Sequence, residues 1–206
     1  MFLRNTAMAT LRWVVLTGWH ERRREHAGFD GTGAGWRRPG RPGRCTVTGL
    51  LAWVTLGTAL SCGLCAGVFF AFSAFVMPAL GRLPSGQGIA AMQSINRLAV
   101  TPAFMTALFG TALACAGLAA WALAGWGQRP APWILAGSAL YLVGAIAVTM
   151  TANVPLNNAL AAIRPDGTGA AGRWSSYLGR WTAWNHLRAA AAFAAAGLLF
   201  VALPLA

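Results

Sequence analysis

Residues 102–152 read PAFMTALFGTALACAGLAAWALAGWGQRPAPWILAGSALYLVGAIAVTMTA, and Arg129 is the only charged residue among them. Two apolar runs, 102–126 and 132–152, flank the short stretch GQRPA. Each is long enough to cross the hydrocarbon core of a bilayer, which takes about 20 residues of helix. Working outward, a third run extends from Val47 to Met77 and is closed by Pro78, and a fourth from Trp184 to the C-terminus. The 47–77 run would measure about 46 Å as a straight helix, longer than the hydrocarbon core, so tilt or protruding ends are expected. The fold class expected is all-α: an integral membrane four-helix bundle with spans at 47–77, 102–126, 132–152 and 184–206.

Composition supports this reading. Of 206 residues 57% are hydrophobic and 10% charged, far from the roughly 25% charged residues of an ordinary soluble domain. The formal charge is +12, and all sixteen basic residues are Arg. Nine of them, with three acids, fall in residues 1–45; the other seven, with Asp166 alone, sit near the ends of the apolar runs. That distribution suits membrane flanks, whereas nucleic-acid binding needs a soluble basic face with exposed aromatics. Four Cys are too few for a disulfide scaffold, and Cys62, Cys65 and Cys115 lie inside apolar runs, where packing is the natural role of the CxxC at 62–65.

Residues 1–45 hold a single weakly apolar stretch, Leu11 to Trp19, without the h-region or cleavage site of a signal peptide. The run GTGAGWRRPGRPGR at 31–44 has linker composition, so a disordered basic N-terminal extension is expected over 1–45. Between the first and second spans, Ser85 is placed to cap a short interfacial helix whose Ile89, Met92, Ile95 and Ala99 share a face. Residues 173–188 carry Trp174, Tyr177, Trp181, Trp184 and Arg188 at helical spacing and run into the fourth span. Trp53, Trp121, Trp126 and Trp133 fall at one membrane face and Trp174, Trp181 and Trp184 at the other, as four crossings require. The Arg balance leaves the orientation open. Gly63 with Gly67, and Gly110 with Ala114, have the spacing of close helix contacts.

Polar side chains within a membrane are costly and mark function by default. Here they gather at one face: NVPLNN at 153–158 closes the third span, WTAWNHLR at 181–188 opens the fourth, and Gln93, Asn96 and Arg97 lie in the first connection. Asn153 and Asn157 share a helical face, and Pro155 between them frees a carbonyl near residue 151 and bends the helix. Asn185 and Arg188, three apart, likewise face together. The spacing leaves interhelical glue and a ligand pocket equally open. His186 is the only His after residue 45 and Asp166 the only acid, so the donor sets of iron or catalytic zinc sites are not expected.

MQSINR at 92–97, NVPLNNAL at 153–160 and WTAWNHLRAAAA at 181–192, behind GLCAGVFFAFSAFVMPAL at 63–80, resemble the anthrone oxygenase family of small integral membrane proteins. The resemblance covers roughly residues 50–203, and Asn96, Asn153, Pro155, Asn157, Trp184, Asn185 and Arg188 match its motif positions. It implies four membrane helices and, by analogy with fungal members, oxidation of polyketide anthrones to anthraquinones. Most bacterial members have no established reaction.

That chemistry needs no cofactor, because an anthrone carbanion passes an electron to dioxygen directly. It needs a base, oxyanion donors and an aromatic slot. The expected assignment is His186 as base, Asn153, Asn157 and Asn185 as donors, Arg188 as electrostatic stabiliser, and Trp181 and Trp184 as walls, with Asn96 also at the substrate. His186, Asn185 and Arg188 form the catalytic set; no cofactor and no metal are expected. The partners expected are the lipid bilayer, a hydrophobic aromatic molecule and dioxygen, not nucleic acid, and a homo-oligomer is compatible with the sequence. The other reading is a non-enzymatic membrane protein that binds a lipid or hydrophobic molecule, or a scaffold. Composition without Lys and rich in Ala, Gly and Arg points to a bacterial inner membrane.

Overall fold

The computed structural model describes residues 43–206, with side chains from residue 49. The extension expected over 1–45 lies outside the described residues but for its last three positions, which open the first helix. All regular structure among the described residues is helical. Four helices are long and apolar enough to cross a membrane: Gly49–Gly81, Pro102–Ala124, Ala131–Ala161 and Ala170–Leu205. A connecting helix, Ser85–Leu98, joins the first two. The spans pack in a ring, each against its sequence neighbour and the first against the fourth. This is an integral membrane four-helix bundle.

The ends differ from expectation for a physical reason. The first span runs past Pro78 to Gly81, the third past Pro155 to Ala161, and the fourth begins at Ala170 rather than near Trp184. Proline lacks an N–H, and its ring crowds the carbonyl four residues before. Before each of these two mid-span prolines lies a wide, π-type stretch, Phe72–Val76 and Thr149–Asn153, and the third span carries another at Leu140–Ala147. Such turns let the chain pass a proline without ending the helix. Ser85 opens the connecting helix but accepts no capping bond, Pro84 occupying the cap position.

Spans of 33, 31 and 36 residues exceed a bilayer's need, and the excess has its own core. One apolar cluster, with Cys62, Phe69, Leu108, Cys115, Tyr141 and Leu199, fills the bundle. A second, with Met77, Leu80, Ile89, Met92, Leu160, Trp174, Tyr177 and Trp181, joins the protruding ends to the connecting helix. Exposed Trp53, Trp126 and Trp133 mark one membrane face. Counting about 20 residues inward from Trp53, Trp133 and Leu205 reaches Ser73, Asn153 and Asn185 at the opposite edge of the hydrocarbon. The polar residues therefore lie at the seam between the two clusters. Trp174 and Trp181 do not sit among headgroups as the belt pattern predicts; both are buried in the second cluster, and Trp184 alone of the three is exposed.

Close helix contact falls elsewhere than predicted. Gly63 and Gly67 have no atom within reach of an added Cβ, and Gly110 meets only Thr106 of its own span. Gly144 instead presses on Ala191 Cβ between the third and fourth spans, and a Cβ on Gly88 would lie 2.7 Å from Trp174 Cζ2.

Candidate functional site

At the seam a cavity of about 160 Å³ opens among the first, second, third and fourth spans and the connecting helix. Phe69, Phe72, Phe104, Leu108, Met92 and Ile95 make it apolar; Asn96, Thr149, Asn153, Asn157, Trp181, Asn185 and Arg188 supply its polar side. Five of the eight candidate residues named from the sequence thus meet with Trp181: Asn96, Asn153, Asn157, Asn185 and Arg188 line one space. Two do not. His186 is exposed and lines a separate outer groove between the first and fourth spans, with Gly63, Gly67, Phe70 and Phe193. Trp184 is exposed on the outer surface and lines neither space.

Arg188 and Asn185 form the centre. Asn185 is fully buried; its Nδ2 donates to Phe69 O and to Ser73 Oγ, each at 2.6 Å. Its Oδ1 accepts from Arg188 Nη2 at 2.5 Å. The amide orientation is fixed by its partners, since a backbone carbonyl only accepts and a guanidinium only donates. Phe69 O lies three residues before the wide turn at Phe72–Val76, and a carbonyl has a second lone pair with which to take this side-chain donor.

Arg188 is 6% exposed. Its Nη1 donates to Thr149 Oγ1 at 3.1 Å, while Nε has no partner. The guanidinium lies 4.5 Å from the Phe69 ring centroid and 5.2 Å from that of Trp181. Aromatic faces and neutral acceptors offset part of the cost of burying a charge. No carboxylate stands in the cavity lining, and Asp166, the one acidic side chain among the described residues, is exposed in a turn.

The third span adds two amides one turn apart. Asn153 donates from Nδ2 to Trp181 O at 3.3 Å, leaving its buried Oδ1 without a partner. Asn157 Oδ1 accepts from Tyr177 Oη at 2.9 Å and from Trp181 Nε1 at 2.8 Å, so Trp181 is held as a wall by its indole N–H. Gln93 serves structure: its Nε2 donates to Leu160 O and Ile163 O, both at 2.9 Å, closing carbonyls at the third span's end.

Sequence reasoning missed Ser73, Thr149 and Tyr177. Thr149 was legible, being four residues before Asn153 and so on its face. Ser73 had no periodic signal, because the wide turn at 72–76 decides where it points. Below the cavity, Tyr141 Oη donates to Cys65 Sγ at 3.2 Å and to Leu108 O at 3.1 Å, and Cys62 Sγ lies 4.0 Å from Cys115 Sγ. These thiols are free and packed in the bundle core. No three His, Cys, Asp or Glu side chains among the described residues assemble as a metal set.

Residues 100–198 match the family model for anthrone oxygenase. The match contains NVPLNN and WTAWNHLR and bears out the resemblance those motifs carry, while MQSINR and the 63–80 segment precede it. No curated protein and no solved structure matches the chain.

Proposed function

We infer that this chain, with its anthrone oxygenase match, acts on an anthrone-like aromatic polyketide, oxygenating it to a quinone without a cofactor. The observation that carries this reading is a buried guanidinium, flanked by amides and aromatic rings, in an apolar cavity at the membrane edge. The reaction balances as one methylene plus dioxygen giving one carbonyl and water. The methylene loses a proton to water, and the resulting enolate oxygen faces Arg188. Its carbon gives one electron to dioxygen and recombines with superoxide; the peroxide anion takes the proton back from water, and the hydroperoxide then loses water to leave the quinone. Arg188 lowers the energy of the oxyanion, an effect stronger in an apolar cavity than in bulk water. Asn157 holds Trp181, and Asn185 holds Arg188 in place.

His186 stands outside this scheme because it lines the outer groove, not the cavity. The lining holds no other base, which also favours a second reading, a cavity that binds such a molecule without turning it over. A bacterial inner (plasma) membrane is proposed as the setting, on the Lys-free, Ala- and Arg-rich composition.

The test is to incubate metal-stripped membranes carrying the protein with a simple anthrone, following dioxygen uptake and quinone formation. Parallel membranes carry Asn185→Ala, Arg188→Met and His186→Ala at matched protein content. Quinone above the spontaneous rate, lost in Arg188→Met and retained in His186→Ala, is expected. Wild-type membranes no faster than empty ones would leave the binding reading; loss on His186→Ala would return the base to that residue.

A further inference from the structure

Three observations about the cavity bear on how it is filled, independently of any reaction. The first is charge. A guanidinium has five N–H donors, and Arg188 uses two, on Thr149 and Asn185, with no carboxylate in the lining. A buried cation so placed costs free energy that an anionic oxygen would offset.

The second is size. An engineered protein cavity of about 150 Å³ takes up benzene. At about 160 Å³ this one accepts a single aromatic ring, and the remainder of a larger molecule must project outside.

The third is the mouth. Val100 is the exposed member of the lining, at 70%, and Leu98 beside it is 68% exposed. Both lie within four residues before Pro102, where the second span begins. Exposed apolar side chains at that level meet lipid at lower cost than water. The cavity therefore opens sideways, toward the bilayer.

We propose that the cavity is a lateral membrane site for a weakly acidic aromatic ring, a phenol or enol dissolved in the bilayer. The ring enters past Val100, and its oxygen is held as the anion against Arg188. The neutral form partitions into lipid, and the proton passes to water at the hydrocarbon edge as the oxygen meets the guanidinium. The proposal rests on the reading above, in which an enolate faces Arg188, and deepens it by naming the ligand class and its route; binding found without turnover would sink the oxygenase reading and leave this one standing.

The full chain in phosphatidylcholine nanodiscs is titrated with 4-nitrophenol, whose phenolate absorbs in the visible, and with nitrobenzene, which lacks the acidic oxygen. Binding of 4-nitrophenol about tenfold or more tighter than nitrobenzene is expected, with the phenolate band present below the probe's solution pKa. Arg188→Met removes both the preference and the band. If that variant does not fold, the two probes on the wild type still decide. Equal affinities, or a bound neutral phenol, overturn the proposal. For the route, a nitroxide is attached at Val100→Cys in a Cys45→Ala background. Relaxation by lipid-soluble dioxygen above that by a water-soluble nickel chelate is expected, reduced when 4-nitrophenol binds. Faster relaxation by the nickel chelate would mean that the mouth faces water and the route is wrong.

Discussion

Asn185 and Arg188 are bonded to each other, yet their substitution has opposite logic. Asn185 bonds three buried groups at once: Phe69 O, Ser73 Oγ and one arm of Arg188. Asn185→Ala strands them, and a buried unsatisfied polar group costs about 1–3 kcal/mol. A loss of about 3 kcal/mol is expected, read as a fall in unfolding free energy in nanodiscs. Arg188→Met instead removes a buried charge and leaves only Asn185 Oδ1 bare. The desolvation relieved and the hydrogen bond lost are of similar size and opposite sign. Stability within about 1 kcal/mol of wild type is expected, with binding and turnover gone; a large fall would make Arg188 a structural residue. Position on the helix separates these two from their neighbours. Trp181, Asn185 and Arg188 are four and three apart and form one face, from which spacing turns His186 away; Trp184, three from Trp181 and four from Arg188, lies at the edge of that face, and its exposure is seen only in the structure. For His186 that distinction was legible in WTAWNHLR. Reading the motif as a block rather than as faces of a helix put His186 in the site.

At the scale of elements, the apolar runs gave the number and order of the spans, and the prolines misled about their ends. Pro78 and Pro155 look like stops because a regular α-helix cannot accept them without losing a bond. Nothing in the residues announces the wide turns at Phe72–Val76 and Thr149–Asn153, or the second apolar cluster that makes continuing worthwhile. Those turns also aim Ser73, Thr149 and Asn153, so the half of the site they carry was only partly readable. The connecting helix offers a direct test of that cluster. Its Gly88 lies under the Trp174 indole, where an added Cβ would stand 2.7 Å from the ring. Overpacking at such a contact costs about 1–3 kcal/mol. Gly88→Ala is expected to loosen Ser85–Leu98 from the fourth span, seen as faster amide exchange in that helix. Unchanged exchange would show that the indole shifts freely and that the contact is loose.

The whole molecule is two apolar layers joined by a polar seam, and the layers have different supports. Pro102–Ala124 and the other hydrocarbon-level segments are held by the bilayer, because an unpaired backbone in lipid costs several kcal/mol per group. The outer layer has no such support and depends on its own buried side chains, among which Trp174 is the largest beside Trp181. Trp174→Ala removes a side chain that is 4% exposed, at a cost of about 3–5 kcal/mol. If the layers are energetically separate, that loss falls on the outer one alone. Amides of Ser85–Leu98 should then exchange nearly as fast as an unfolded chain, while Pro102–Ala124 stays protected and the protein stays inserted. Because Met92, Ile95 and Asn96 of the connecting helix wall the cavity, 4-nitrophenol binding should vanish in the same variant. Loss of protection in both layers together would show that the seam couples them into one cooperative unit. Arg188 would then contribute to holding the bundle as well as its ligand.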